Sequence, residues 1–588
     1  MWLHYISLVA ALLLSAADAQ RPYILNWSTE AYGPDGPWQA VTINVGSDRQ
    51  PIALYPGASY ASTIFADSIC ANSTLSPTCY AARAGTYNES DSATSISTGS
   101  PTSNASTPWN AFYWNVQGKA RQESIGDEVT LGVGESETII PNVSITAIRD
   151  TYQTYPNGRS YPVSVGNLAL GAPQLRDASS GLSLNMIASW LYTSGQIPSY
   201  SYSMHIGSVN PPIPGSLVVG GYNRTRLIGE GSTQSIVDSA GILQIVLRDI
   251  GLGVAEGASP FPAFTDTHRG GLFLDTEHGG NMNMGTVLPR TATIDPTKPY
   301  MYLPAATCDA ITALFPASFD TGLGLYIWDT NSADYTTLTR SPAYLSFTFS
   351  RDGSTASAAN MTIRIPLQLL ALTLQEPLAE GQNRSYFPCF HSTDTLVLGR
   401  AFLQAAFVAV NWFEGANSAS WFLSQAPGPG IGWNGSADGD FIVPVEVTDR
   451  TLRGAEEESW LNSWVQHWTP LEATGNESTG APSSYNDSGL SASAKAGIGV
   501  GVSIAGLIII AAAIWALMHR RRKKQTQATI LNSTTSTEVG GHGLTELAEG
   551  DKDKPFPPME LEGKCGSAQP QEMMGTNAGR ARHHELES

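Results

Sequence analysis

Few side chains in this sequence stand in a spacing that is typical of a known catalytic or metal centre. The string His-Glu-x-x-His, the phosphate-binding glycine loop and the Gly-x-Ser-x-Gly nucleophile turn are absent from it. His205 and His278 are isolated from other ligand-type residues, so we expect no metal site and no cofactor. The remaining candidates are aspartates that follow apolar segments, Asp275 in GLFLDTEHGG and Asp295 in ATIDPTKPYMYLP. A pair of close carboxylates can share one proton and activate water.

The elements that must position these residues are predicted to be short β-strands. From about Trp38 to Val447, apolar and aromatic segments are separated about every ten residues by Gly, Pro, Asn and Ser. The clearest helical patterns run from Leu184 to Thr193 and from Cys308 to Leu314. A chain of this length implies two mainly β lobes, which we place at 20–235 and 236–455. The predicted strands are VTINV, EVTLGV, SLVVGGY, LQIVL, YLSFTF, MTIRIP, TLVLG and FVAVNW.

The two ends of the chain predict entry into the secretory pathway and a single membrane anchor. Residues 1–19 contain an apolar run that ends in Ala-Asp-Ala, which is typical of a signal peptide cleaved before Gln20. The run 496–518 carries no charged residue and, at about 1.5 Å per residue, is long enough for a transmembrane helix. The basic block 520–524 orients this helix with its C-terminus in the cytosol.

This topology is that of a single-pass type I membrane protein. We expect the ectodomain outside the plasma membrane, with the vacuolar lumen as the alternative, and we expect lipid contact through the helix. Residues 473–495 are predicted to form a flexible Ser/Thr/Gly-rich stalk. Residues 519–588 are predicted to be a disordered cytosolic tail, for which the sequence identifies no partner.

A tryptophan-rich segment, 456–472, lies between the β region and the stalk. Trp460, Trp464 and Trp468 are spaced four apart, so on a helix they fall along one face. We expect this face to pack against the ectodomain, and contact with the membrane interface is the alternative.

Charge and glycosylation sequons indicate an extracytoplasmic glycoprotein. The formal net charge of −19 argues against nucleic acid as a partner. Eleven Asn-x-Ser/Thr sequons precede the apolar run, and their density is typical of a heavily glycosylated ectodomain. They are at Asn26, Asn72, Asn88, Asn104, Asn142, Asn223, Asn360, Asn383, Asn434, Asn476 and Asn486.

Cysteine usage agrees with an oxidising compartment. Cys70, Cys79, Cys308 and Cys389 allow three disulfide pairings. We favour Cys70 with Cys79 and Cys308 with Cys389, because neighbours within one lobe meet most easily. The fifth cysteine, Cys565, lies in the predicted cytosolic tail, where we expect a free thiol.

Several strings, in order, resemble the pepsin-like aspartic proteases. INVGSDRQPIALYPGAS resembles the strand-turn-strand that carries the first Asp-Thr-Gly motif, and IPGSLVVGGYNRTRLIG resembles the hairpin that closes the first lobe. LVLGRAFLQAAFVAVNW resembles the Leu-Gly-x-x-Phe-Leu block of the second lobe. Together they cover nearly the whole stretch from Trp38 to Trp412. The resemblance is strongest to divergent fungal membrane-anchored members, in which ATIDPTKPYMYLPAATC replaces the second motif.

The resemblance implies a bilobal, mainly β fold with a peptide-binding cleft between the lobes. Each lobe of such a protease contributes one aspartate, and the two carboxylates share a proton. The two favoured disulfides also resemble those of the family, one after the first motif and one inside the second lobe.

The departures from the family pattern fall on the catalytic motifs. Tyr55 stands where the first aspartate belongs, and a phenol with a pKa near 10 cannot share an acidic proton. Asp295 survives in the second motif, but Pro296-Thr297-Lys298-Pro299 follows it, so a loop glycine and two backbone donors are lost. Asp295 is therefore either a catalytic remnant or an ordinary strand-end aspartate, and Lys298 could hold it ionised.

Two further positions are weaker candidates. Asp275 follows an apolar segment, which we interpret as a strand, but Glu277 stands where the motif needs glycine. Trp114 falls near the position of the substrate-covering flap tyrosine, and a core or surface tryptophan is the alternative interpretation.

These features support two functional hypotheses of different class. The first is a catalytically impaired, membrane-anchored homologue whose cleft binds peptide, protein or cell-wall material. The second is an active aspartic endopeptidase with degenerate motifs that works at acid pH. A structural cell-surface glycoprotein without a ligand is a third alternative.

Overall fold

The computed structural model describes most of residues 20–472. The chain divides at residue 477 into two units, and all described residues belong to the first. The stretches outside the description are 1–19, 58–59, 72–75, 98–106, 109–116, 133–136, 175, 178–182, 237–239, 262, 265, 277–288, 356–357, 394, 413–418, 431–440, 457–458 and 473–588.

The described residues form 32 strands, so the prediction of a mainly β chain is confirmed. The first seventeen are β1 (Tyr23–Ile24), β2 (Trp27–Tyr32), β3 (Trp38–Val45), β4 (Gln50–Gly57), β5 (Ser62–Phe65), β6 (Ile96–Ser97), β7 (Thr107–Pro108), β8 (Gln117–Leu131), β9 (Thr138–Thr154), β10 (Ser160–Tyr161), β11 (Gly166–Ala169), β12 (Arg176–Asp177), β13 (Leu184–Asn185), β14 (Ser201–His205), β15 (Ser216–Val219), β16 (Gly221–Asn223) and β17 (Ile228–Ser235).

The remaining fifteen strands lie in the second part of the described chain. They are β18 (Leu243–Val254), β19 (His268–Arg269), β20 (Arg290–Ile294), β21 (Met301–Leu303), β22 (Ala317–Asp320), β23 (Leu325–Trp328), β24 (Ala343–Ser350), β25 (Asn360–Pro366), β26 (Leu372–Leu374), β27 (Arg384–Phe387), β28 (Cys389–His391), β29 (Leu396–Leu398), β30 (Ala406–Asn411), β31 (Ser420–Gln425) and β32 (Ile442–Pro444).

Helices are short, and all but the last of those described lie between strands. The α-helices of the described residues are α1 (Ile187–Thr193), α2 (Ala305–Thr312), α3 (Ala333–Arg340), α4 (Arg400–Leu403) and α5 (Ser459–Asn462). Single 3-10 turns occupy Asp67–Ala71, Tyr80–Arg83, Glu89–Asp91, Arg224–Arg226 and Leu367–Leu370.

The strands form separate sheets in the first and second parts of the chain. Residues 27–185, the N-terminal region, build a twelve-stranded sheet in the order β12-β13-β9-β5-β11-β4-β3-β8-β6, with β2, β7 and β10 beside it. Residues 243–403, the C-terminal region, build an eight-stranded sheet, β25-β24-β18-β20-β29-β21-β28 with β19 beside it, and the four-stranded sheet β22-β23-β27-β26.

A six-stranded sheet joins the two parts of the chain. Its order is β1-β15-β14-β30-β31-β17, so β14 from the first part pairs directly with β30 from the second, with Ser203 opposite Ala409. Tyr202, Trp412 and Trp421 are buried on or beside this sheet. The four central strands, β15, β14, β30 and β31, are buried along nearly their whole length, so this sheet is covered on both faces at its centre.

The same four-strand pattern occurs once in each region. In the N-terminal region β4 runs parallel to β11, β11 antiparallel to β5, and β5 parallel to β9. In the C-terminal region β20 runs parallel to β29, β29 antiparallel to β21, and β21 parallel to β28. Tyr55 lies in the first strand of one pattern, and Asp295 directly follows the first strand of the other.

Both disulfide bonds join the cysteines that were paired from the sequence. Cys70 is bonded to Cys79, with 5.1 Å between their Cα atoms. Cys308, in α2, is bonded to Cys389, in β28, with 5.8 Å between their Cα atoms. Each bridge closes a loop within one region.

The tryptophan-rich segment packs against the second part of the chain. Trp460, Trp464 and Trp468 are all buried. Of the three, only Trp460 lies in the helix α5. The Trp460 ring meets Tyr344 edge to face, at 6.0 Å between centroids, and the Trp468 ring stacks on Trp464 at 5.5 Å. The indole N–H of Trp468 donates to Glu256.

Two local expectations need correction. The helix expected from Leu184 begins only at Ile187, because Leu184 pairs in a strand with Asp177. The apolar segment before Asp275 is not a strand, because the backbone N–H and C=O of Leu274 both bond to the Thr307 hydroxyl instead of to a neighbouring strand.

Several sequence predictions fall outside the described residues. They concern the signal peptide 1–19, Trp114, His278, the stalk 473–495, the apolar run 496–518 and the tail 519–588 with Cys565. Within the part of the chain that the structure does describe, no helix is long and apolar enough to cross a bilayer.

Candidate functional site

Tyr55 is held deep between the two regions. It lies in β4, which pairs with β3 on one side and β11 on the other. The phenol is 4 % exposed and donates a hydrogen bond of 3.0 Å to the carbonyl of Tyr32. Burial raises the pKa of Tyr55 far above its ordinary value, and the positive charge of Arg400 opposes that shift. This phenol is therefore a neutral hydrogen-bond donor, with no acidic proton to share.

Arg400, at the start of α4, is the group that packs on Tyr55. Its guanidinium carbon lies 4.0 Å from the centre of the Tyr55 ring and 5.1 Å from the Trp38 ring. One terminal nitrogen donates to the carbonyls of Pro296 (3.2 Å) and Thr297 (2.8 Å). Arg400 is buried, and among the described residues its Nε has no hydrogen-bond partner. The Arg400 guanidinium thus contacts both the Tyr55 and Trp38 rings of the N-terminal region and the turn after Asp295.

Asp295 is engaged by its own turn. One carboxylate oxygen accepts from the backbone N–H of Thr297 at 2.9 Å and from the Thr297 hydroxyl at 2.6 Å. This is a closed Asx turn, in which the carboxylate substitutes for a backbone acceptor. Burial lowers the pKa of Lys298, the charge of Asp295 opposes this shift, and the charge of Arg400 adds to it.

The two degenerate motifs meet directly. A Cβ atom on Gly57 would lie 2.5 Å from a methyl carbon of Thr297, so the end of β4 touches the turn after Asp295. The structure therefore brings Tyr55, Arg400 and the Asp295 turn into one neighbourhood. Asp275 is elsewhere: it is buried in an ion pair with Arg290.

Sequence reasoning missed Asp35, a buried carboxylate beside Tyr55. Asp35 is 1 % exposed and accepts a hydrogen bond of 3.0 Å from the indole N–H of Trp38. Its charge adds to burial in raising the pKa values of Tyr55 and Tyr386. The sequence Gly-Pro-Asp-Gly-Pro is typical of an exposed turn. No local signal indicates that the C-terminal region covers it.

Residues 33–37, which we call the strap, bind the C-terminal region through their backbone. The carbonyl of Pro34 accepts from the N–H of Gln375 at 2.7 Å, and that of Gly36 accepts from Thr373 at 3.1 Å. The Asp35 carbonyl accepts from the Tyr386 hydroxyl. Gly33 has φ +94°, and a Cβ there would lie 2.6 Å from the Tyr55 hydroxyl, so only glycine suits this turn. The strap fills the space next to the Tyr55 hydroxyl.

More contacts close the two regions over this centre. The hydroxyls of Tyr155 and Tyr300 lie 3.1 Å apart, and the N–H of Asn157 donates to the carbonyl of Gly322 at 3.1 Å. Arg159 forms an ion pair with Glu380. The space left beside Tyr55 and Arg400 is only about 20 Å³, which is enough for a water molecule and not for a peptide.

A larger groove stays open beside the strap. This central groove has a volume of about 370 Å³, which lies within the range of small-ligand sites. Its N-terminal wall includes Tyr80 and Arg83, and its C-terminal wall includes Gln375, Gln382 and Asn383. Tyr80 hydrogen-bonds to Glu376 between the walls, and burial together with the Glu376 charge raises the pKa of Tyr80. Hydroxyl and amide groups of this kind suit a neutral polar ligand.

A second cavity, larger than the central groove, lies away from Tyr55. It measures about 950 Å³ and is lined by Glu30, Gln39, Ile213, Asn462 and His467, among others. It contains none of the motif residues. Among the described residues, no group of three or more His, Cys, Asp and Glu side chains is arranged to hold a metal ion.

No protein-family model matches the chain, and no characterised protein matches it significantly.

His205 lies in β14, in the sheet that joins the two regions. The ring is fully buried, and its Nε2 donates to the carbonyl of Gln404 at 2.8 Å. Burial and the positive charge of Arg226 lower the pKa of His205 to about 3, against the opposing effect of the Gln404 bond. His205 is thus a neutral structural donor over most of the acid range.

We predict that His205 makes the fold less stable as the pH falls. An unfolded chain protonates histidine near pH 6.5 and the folded chain only near pH 3, so the unfolded state binds more protons between these values. From pH 6.5 to about pH 4 this costs about 3 kcal/mol of unfolding free energy, at about 1.4 kcal/mol per pH unit. Urea unfolding of wild type and His205→Gln at both pH values measures it. Equal pH dependence in the two proteins would contradict the assignment.

Proposed function

We propose that this chain is a membrane-anchored, glycosylated homologue of the pepsin-like aspartic proteases that does not cleave peptides. It binds peptide or cell-wall material in the central groove between its two regions. The bilobal fold belongs to this proposal, and the repeated four-strand pattern of β4-β11-β5-β9 and β20-β29-β21-β28 supports it.

One observation carries the catalytic part of the proposal. The position of the first aspartate holds Tyr55, a buried phenol that donates to Tyr32 and lies under the Arg400 guanidinium. Asp295 is bonded within its own turn. Catalysis of this kind needs two carboxylates that share one proton, and Tyr55 supplies no carboxylate. Removing one member of a catalytic unit removes most of its effect, so hydrolysis by this route is lost.

The location is part of the same proposal and is motivated by the sequence. The predicted signal peptide 1–19, the apolar run 496–518 and the basic block 520–524 support an ectodomain outside the plasma membrane. Protease added to intact cells should digest the ectodomain and spare an epitope placed after Lys524. Protection of the ectodomain would overturn the topology.

Ligand binding should depend on the walls of the central groove. Full-length protein in detergent is tested against a peptide library and against soluble oligosaccharides of the cell wall. The variants Tyr80→Ala and Gln375→Ala should each weaken binding by about tenfold, because each removes contacts worth about 1.4 kcal/mol. The matched control is Asn462→Ala, in the larger cavity. Weakening by the control alone would place the ligand elsewhere, and no binding by any variant or wild type would refute the binding function.

A further inference from the structure

The structure separates the described sequons into two classes. Asn223 is fully buried, and its side-chain oxygen accepts from both the N–H and the hydroxyl of Thr225. Asn88 caps a turn, accepting from Ser90 and donating to Asp91. In the folded chain these two side chains are engaged in hydrogen bonds within the protein. The exposed sequon asparagines are Asn26, Asn142, Asn360 and Asn383.

Asn383 differs from the other exposed sites in its position. It lines the central groove, between the Gln382 side chain and the start of β27. The sequon residue Ser385 lies in β27 and is bonded to the hydroxyl of Tyr335, which fixes the strand that carries it. A sugar on Asn383 therefore begins at the rim of a groove whose volume suits a small ligand.

The chemistry of the groove suits a sugar chain. Gln375 and Gln382 each offer an amide that both donates and accepts, which matches sugar hydroxyls. Tyr80 offers a flat apolar ring with a polar tip on the opposite wall. The charged groups on the rim, Arg83 and Glu376, are of opposite sign, so the groove has no strong preference for a charged ligand.

We infer that the N-glycan on Asn383 folds into the central groove and is its resident occupant. In its attachment the Asn383 amide nitrogen displaces the diphosphate of a lipid-linked oligosaccharide and loses one proton, so that an N-glycosidic bond replaces one N–H bond. The first sugars lie along the amide wall and beside the Tyr80 ring. A ligand from outside must displace this glycan, so the glycan sets the affinity of the groove. The inference rests on the secretory route that we propose above.

The rate of glycan removal from the native protein tests this inference. Full-length glycoprotein in detergent is treated with an endoglycosidase, and each site is followed by mass spectrometry of its glycopeptide. The enzyme acts only while a glycan is out of the groove, so Asn383 should lose its glycan about tenfold more slowly than Asn360. After denaturation the two rates should be equal. The variant Tyr80→Ala should bring the native rate at Asn383 towards that at Asn360, and Asn462→Ala should not.

The outcomes separate this inference from the proposed function. Equal native rates at the two sites, or glycan at Asn360 and none at Asn383, would overturn the inference and leave the ligand proposal standing. No glycan at any exposed sequon would overturn the secretory route and this inference together. Ligand binding that is unchanged in Asn383→Gln would show that the glycan does not occupy the groove.

Discussion

Replacing Tyr55 with aspartate should yield no protease and a less stable protein. The change removes a buried aromatic ring, and truncation of a buried aromatic side chain costs about 3–5 kcal/mol of unfolding free energy. It also removes the hydrogen bond to the Tyr32 carbonyl and the ring on which Arg400 packs, 4.0 Å from its centre.

The new carboxylate would not form a catalytic pair. Arg400 would lie beside it and, as an adjacent positive charge, would hold the aspartate ionised. Asp295 would still bond within its own turn, and the strap would still cover the centre. Catalytic groups must be held within about 0.5 Å of their working geometry, and nothing in this environment is arranged to do so.

The test compares wild type, Tyr55→Asp and Tyr55→Phe by urea unfolding and by cleavage of unfolded protein at acid pH. Tyr55→Phe is the matched control, because it keeps the ring and loses only a hydrogen bond worth about 1 kcal/mol. Pepstatin-sensitive cleavage by Tyr55→Asp would contradict the account of this centre.

Replacing Arg400 with glutamine should have a comparably large effect on stability. Arg400 is buried, and its guanidinium satisfies the carbonyls of Pro296 and Thr297. Its loss leaves the buried Pro296 carbonyl and the partly buried Thr297 carbonyl without this donor, and it removes the stacking on Tyr55 and Trp38. We expect a cost of about 3–5 kcal/mol, since each unsatisfied buried group costs about 1–3 kcal/mol.

Arg384→Gln is the matched control for Arg400→Gln. Arg384 pairs with Asp320 on the surface, and its side chain is 43 % exposed. Exposed ion pairs contribute at most about 1 kcal/mol, so this variant should unfold at nearly the wild-type urea concentration. If Arg400→Gln were as stable as Arg384→Gln, the guanidinium would not be the group that joins the two regions.

Many strand positions could be predicted from the sequence, because the strand pattern is present in the local sequence. The segments YLSFTF and FVAVNW became β24 and β30, since runs of β-branched and aromatic residues suit a buried strand. The disulfides could be paired because each joins cysteines within one region.

The surroundings of Tyr55 could not be predicted in the same way. Asp35 lies in a turn sequence that is typical of exposed loops. Its burial results from the bonds of the strap with Thr373, Gln375 and Tyr386, more than three hundred residues away. Arg400 follows a strand end, where an arginine is ordinarily solvated. Its position under Tyr55 depends on the packing of one region on the other, which no local pattern encodes.

The central claim is most directly tested by incubating the full-length protein, purified in detergent, with an unfolded protein substrate from about pH 3 to pH 6. Wild type and Asp295→Ala are compared, each with and without pepstatin. We expect no cleavage above the no-enzyme background in any of the four samples. Cleavage by wild type that pepstatin blocks and that Asp295→Ala lacks would contradict it, and the chain would then be an active aspartic endopeptidase.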